Sequence, residues 1–299
     1  MFAAISLILV LGGAGIGSLI SRRGTTVALG LGKGFVGEPR RHANQSLRWS
    51  AFGLVAGLVV ALGVSFAGSL GRGVMLAAPV FGVAFLLAVC AGEMTSSPPS
   101  AVRRTATIRT RRVRSYLPRP LTGAVGLSTL LLTASMIGAT LYGSTDDLGR
   151  VGRSLSYSCA QGHIGSRGPW PGWFYAAPLL LVTGIVVSVA FATLVQIVRR
   201  NSLDDDPDSE WPTPDDQLRL RSAESVVAAT GIAIAIPLMG VSLFGGLALS
   251  GVDCLPTVAR VVQIAWLAVA PLSLLLIGWS ARSLLAAATS VGFGPELSR

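Results

Sequence analysis

The chain reads as all-α, a polytopic integral membrane helical bundle of about seven transmembrane helices with its N-terminus outside and its C-terminus inside. Three observations predict this. Hydrophobic residues make up 51% of the 299 positions and charged residues only 13%, with a positive mean hydropathy. The apolar residues come in blocks about as long as the roughly 20 residues that cross a hydrocarbon core. Basic residues collect in alternate connections, the bias that sets membrane orientation.

The strongest orienting signal is the segment 103–119, which carries Arg103, Arg104, Arg109, Arg111, Arg112, Arg114 and Arg119 with no acid among them. It lies between an apolar run ending near Ala91 and another starting at Leu121. Basic residues beside a span resist translocation, so this loop belongs inside. The net charge of +10 is thereby explained as a topology signal, and no nucleic-acid partner is expected. Arginine outnumbers a single Lys33, and Ala, Gly and Val are abundant, a bias that points to a high-GC bacterial source. The expected location is the bacterial cytoplasmic membrane.

The first expected span is 2–20. A cleaved signal peptide would carry its charge before the apolar run, whereas Arg22 and Arg23 follow it, so it is read as an uncleaved helix. Gly13 and Gly17 would admit a close helix neighbour. The connection 21–49 holds five further basic residues with Arg22 against one acid, Glu38, and falls inside. Its Gly30-Leu31-Gly32-Lys33-Gly34 run lacks the Ser or Thr and the strand-to-helix context of a phosphate loop and reads as a basic loop near headgroups.

Spans 50–69 and 73–91 are joined by so few residues that they form an antiparallel helical hairpin with its tip outside. Gly53 and Gly57 place small residues on one face of the first, Pro79 should bend the second, and Cys90 reads as a small buried hydrophobe. Span 121–142 is rich in hydroxyls that can bond the preceding turn or a neighbouring helix. The outer loop that follows carries Asp146, Asp147, Cys159 and His163. It closes on Trp170-Pro171-Gly172-Trp173-Phe174-Tyr175, which fits an aromatic belt.

Span 174–198 ends at Arg199 and Arg200. The one acidic block follows: Asp204, Asp205, Asp206, Asp208, Glu210, Asp215 and Asp216, interleaved with three prolines. Residues 199–222 are therefore expected to form a flexible acidic cytoplasmic loop, too polar to fold alone and suited to docking a partner. The block lacks the glycine and closing glutamate of an EF-hand calcium loop. Spans 225–250 and 258–279 complete the single transmembrane domain 1–299. In this arrangement only Arg72, Arg150, Arg153, Arg167 and Arg260 of the basic residues lie outside.

Cys159 and Cys254 both fall in outer loops, and the outer compartment of bacteria is oxidising, so a disulfide between them is expected. His163 alone does not complete a metal-ligand set. Ala-Ala-Pro at 77–79 and 176–178 and Ala-Pro at 270–271 hint at repetition that chance explains as well.

No span carries an ionisable residue well inside it, which disfavours ion-coupled transport; Glu224, Arg260 and Arg282 lie near boundaries. Asp146, Asp147, His163 and Asp253 share the outer face but show no catalytic spacing, and no cofactor or metal is expected. The chain is therefore read as a noncatalytic component that anchors or regulates a partner complex. Its partners would be the lipid bilayer, anionic lipids at the arginine loop and a protein at the inner face. The alternatives are a small-molecule permease among the Pro-containing helices and, last, a membrane-embedded enzyme.

Overall fold

The computed structural model describes residues 38–95, 113–160, 162–200 and 214–292. These are mostly helical: α1 (Glu38–Phe66), α2 (Arg72–Thr95), the single turn α3 (Val113–Tyr116), α4 (Arg119–Tyr142), α5 (Trp173–Arg199), α6 (Pro214–Ser250) and α7 (Thr257–Gly292). A two-stranded antiparallel hairpin, β1 (Leu155–Ser158) and β2 (Ile164–Arg167), interrupts the series between α4 and α5, with Leu155 opposite Arg167 and Ser158 opposite Ile164. Six of the described helices are long and apolar enough to cross a membrane. The first expected span, 2–20, lies outside the described residues, as do Gly13, Gly17 and the run 30–34.

α6 is the axis of the bundle. Of its most apolar stretch, 61% is buried, against 11% for α1, and it packs on α2, α4, α5 and α7. One core joins Leu121, Val125, Leu132 and Met136 of α4 to Val227, Ile234, Leu238 and Val241 of α6 and to Leu276 and Ile277 of α7. A second joins Phe85, Leu86 and Val89 of α2 to Val186 and Ile197 of α5 and Val226 and Ala233 of α6. Contact is close because the crossing points are small: a Cβ on Gly82 would stand 2.5 Å from the Ala233 Cβ. The α1 and α2 hairpin uses the expected glycine face, where a Cβ on Gly53 or Gly57 would come within 2.7 Å of Ala88 or Phe81. Its turn is wider than the sequence suggests, spanning residues 67–71 and requiring positive φ at Gly68, Leu70 and Gly71.

The hydroxyls of α4 satisfy themselves as expected. Thr129 donates to the Val125 carbonyl and Thr133 to that of Thr129, while Ser135 Oγ accepts from Trp266 Nε1 on α7. Pro79, Pro178, Pro237 and Pro271 sit inside continuous helices. Cys90 is half-buried and reduced.

Two expectations change. α6 begins at Pro214, so 214–222 is helix and only 201–213 of the expected flexible loop lies outside the described residues. The start signals are local: proline at the first helical position and Asp215 and Asp216 in the first turn, where the positive end of the helix dipole favours carboxylates. The aromatic run is not uniformly a belt. Trp173 is exposed, but Trp170 is buried against Trp266 with its Nε1 donating to the Ala139 carbonyl, and the Tyr175 hydroxyl donates to the Leu70 carbonyl.

Candidate functional site

The two ends of the bundle are closed by different chemistry. At one end lie the ends of α2, α5 and α6 and the α3 turn, and here charged side chains are buried. Arg219, fully buried on α6, donates from Nε to Asp215 Oδ2 at 2.9 Å, one helical turn earlier. Its Nη1 donates to the carbonyls of Ile197 and Val198, at 2.7 and 2.9 Å, and its Nη2 to that of Arg200. The last carbonyls of a helix have no partner within it, and they form its negative end. The guanidinium of α6 therefore caps the C-terminus of α5.

Arg200 extends the network. Its Nη1 donates to Glu93 Oε2 on α2 and its Nη2 to Asp215 Oδ1, both at 2.9 Å. Ser222 donates to the other Glu93 oxygen at 2.8 Å. Beside this core the Tyr116 hydroxyl of α3 donates to Asp216 Oδ1 at 2.7 Å, and Tyr116 packs with Val198 and Ala223. Glu93, Asp215 and Asp216 are all at most 5% exposed; Glu93 and Asp215 are paired with buried arginines, and Asp216 accepts from the Tyr116 hydroxyl.

The position of these residues in the chain matters more than their number. Glu93 and Tyr116 flank the segment 96–112; Arg200 and Asp215 flank 201–213. Residues flanking both ends of the arginine segment and both ends of the acidic segment are held by two adjoining sets of buried polar contacts.

Of the sequence-predicted docking residues, Asp215 and Asp216 are thus internal: they are spent on Arg200, Arg219 and Tyr116. Asp204, Asp205, Asp206, Asp208 and Glu210 lie outside the described residues, as do Arg103, Arg104, Arg109, Arg111 and Arg112. Arg114 and Arg119 are exposed at the starts of α3 and α4. Sequence reasoning missed Glu93, Arg200, Arg219, Ser222 and Tyr116. The available signal was the spacing of Asp215 and Arg219, an i,i+4 pair that supports a helix rather than a loop.

The opposite end is built around the β hairpin. Cys159 and Cys254 form the expected disulfide, with Cα atoms 5.7 Å apart, tying the hairpin to the connection between α6 and α7. Arg167 Nε adds a bond to the Gly251 carbonyl at 2.8 Å. At the hairpin's base Asp146 accepts from Arg153 Nη1 at 2.7 Å, from the Arg150 and Leu148 amides and from Arg150 Nε. Desolvation works against its charge, yet these donors hold its carboxyl down at about 2. Asp146 in turn raises the Arg153 guanidinium.

The four outer-face candidates do not converge. Asp146 is bound within its own loop, Asp147 is exposed, and His163 and Asp253 line a cleft of about 480 Å³ beside the disulfide with Tyr157 and Ile164. Among the described residues no group of three or more His, Cys, Asp or Glu side chains could hold a metal ion. The comparisons with known proteins add no analogy: no family model, curated protein or solved structure matches the chain.

Proposed function

We propose that this protein is a noncatalytic multi-pass membrane component that presents two oppositely charged segments, 96–112 and 201–213, to a partner complex. The observation that supports this reading is that two adjoining sets of buried contacts hold residues flanking all four ends of those segments on α2, α3, α5 and α6. A charged segment held at both ends loses less freedom on binding than a free tail, which lowers the entropic cost of docking. Arginines in one segment and carboxylates in the other suit a partner with both charge signs at its contact surface.

The orientation we propose puts the hairpin end outside the cytoplasmic membrane of a bacterium, where a disulfide persists. The arginine segment is then inside, in keeping with the charge bias.

The test is purification of the full chain from its native membrane in mild detergent. It would be run beside a variant lacking 204–210 and a variant with Arg103, Arg104, Arg109, Arg111 and Arg112 replaced by glutamine. A protein that copurifies in stoichiometric amount with the parent and is lost from either variant supports docking. The same copurifying set from all three chains overturns it. Retention of the Cys159 to Cys254 bridge in each variant checks that the bundle is intact.

A further inference from the structure

We propose that the exposed arginines at the helix ends, Arg48, Arg114, Arg119 and Arg199, bind the phosphodiester headgroups of anionic phospholipid. At the ion-pair end the acids are buried together with Arg200 and Arg219, and further arginines are exposed. Glu93, Asp215 and Asp216 are turned inward and buried, whereas these four arginines are exposed and make no salt bridge among the described residues. The one other described acid near this end, Glu224, is half-buried on α6 and faces Arg221 electrostatically. Among the described residues the exposed rim of that end is therefore cationic although the end as a whole contains acids.

Placement selects lipid as the source of the phosphate. Arg48 begins the apolar stretch Arg48–Phe66, Arg119 begins Arg119–Tyr142 and Arg199 ends Trp173–Arg199. A guanidinium at the limit of a span reaches the headgroup layer while its methylenes stay against apolar surface. Arg114 joins them because α3 packs through Val113 and Tyr116 on Leu194 and Val198 of α5, the helix that ends in Arg199. Below the arginines the same helices expose Phe52, Val55 and Val59 on α1, Leu127 and Leu130 on α4 and Leu181 and Phe191 on α5. A ligand with an anionic head and two acyl chains covers both surfaces; a soluble anion covers only one.

None of the four arginines lies in 96–112 or 201–213, so lipid retention and partner copurification stand or fall separately. The experiment is native mass spectrometry of the full chain in detergent with phosphatidylglycerol and, as the zwitterionic control, phosphatidylcholine of the same chains. It would compare the parent with Arg48→Gln/Arg114→Gln/Arg119→Gln/Arg199→Gln and with the four Arg→Lys replacements. The parent is expected to retain phosphatidylglycerol about tenfold more than phosphatidylcholine, and the glutamine variant to fall to within about twofold, because each cation near an anionic surface contributes independently. The lysine variant should keep most of the preference, and millimolar inorganic phosphate should leave it unchanged. Equal retention of the two lipids by the parent overturns the proposal. So does a preference that survives in the glutamine variant, or one that inorganic phosphate abolishes. An unreduced Cys159 to Cys254 bridge and an unshifted melting temperature in the glutamine variant separate loss of binding from loss of fold.

Discussion

The two ends of this bundle are held together by different strategies. At the hairpin end a covalent bond, bonds to backbone and ion pairs within one loop do the holding. A disulfide links positions 95 apart, Arg167 bonds a carbonyl, and Asp146 gathers donors from the eight residues that contain it. At the ion-pair end buried carboxylates meet side chains distant in sequence: Glu93 to Arg200 spans 107 residues, Glu93 to Ser222 spans 129 and Tyr116 to Asp216 spans 100. The first end can be assembled loop by loop and then locked. Most of the second requires α2, α3, α5 and α6 to be packed together; only the Asp215 to Arg219 pair lies within one helix. This difference suits the proposed division of labour, in which one end is a covalently secured closure and the other carries the anchored charged segments.

The largest break in that comparison should come from Arg219→Ala. Removing the guanidinium strands the Asp215 carboxylate and the last carbonyls of α5 in a dry site, a loss of about 3–5 kcal/mol. A much lower melting temperature in detergent is expected, with the disulfide still formed. A small shift would mean that water reaches the network. The same measurement on a Glu93→Gln variant should show a lesser fall, because the amide keeps some of its hydrogen bonds with Ser222 and Arg200.

Next in size is the Cys159→Ser/Cys254→Ser pair, or reduction of the parent. Closing a loop of this length contributes about 2–4 kcal/mol. Reductant should lower the melting temperature of the parent and of Arg219→Ala alike and leave the serine pair unmoved. An effect of reductant that depends on Arg219 would show that the two ends are coupled.

Tyr116→Phe removes one hydrogen bond to Asp216 and keeps the packing against Val198 and Ala223, so about 1 kcal/mol is expected. Its value is local. Proteolysis within 96–112 should accelerate while cleavage at the hairpin end stays constant, and equal acceleration at both ends would contradict the idea that Tyr116 anchors that segment.

The smallest effect should be the acid response of Asp146. Its carboxyl is depressed to about 2, below the ordinary value near 4, so its contribution is complete above about pH 4 and is lost as the pH falls through 2. Amide exchange at Leu148 and Arg150, whose N–H groups donate to this carboxylate, should quicken relative to the parent trend over that interval and in no higher one. Asp146→Asn should abolish the step.

Local rules carried much of this architecture. Block length and hydrophobicity located the helices now seen as α1, α2, α4, α5, α6 and α7, because apolar length is a property of consecutive residues, but α1, α6 and α7 each run well beyond the expected span at one end, where the residues are more polar. The cysteine pair was legible because only two of three cysteines could share a side. Other features were not. The β hairpin lay inside a loop whose short Leu155-Ser156-Tyr157-Ser158 alternation is too brief to stand out. Asp215 and Asp216 looked like part of a solvated acidic run because their neighbours 204–210 are acidic; only the arrival of Arg200, Arg219 and Tyr116 turns them inward.

The sequence by itself therefore determined the helical class, the positions of the apolar segments and the pairing of Cys159 with Cys254, all of which follow from spacing and composition along the chain. Tertiary structure alone decided that α6 is the axis, that Arg219 caps another helix, and that the acids at one end are buried with Arg200 and Arg219 while other arginines stay on the rim. The physical reason is that burial of a charge depends on the partners that surround it in space, and here those partners come from segments about a hundred residues apart.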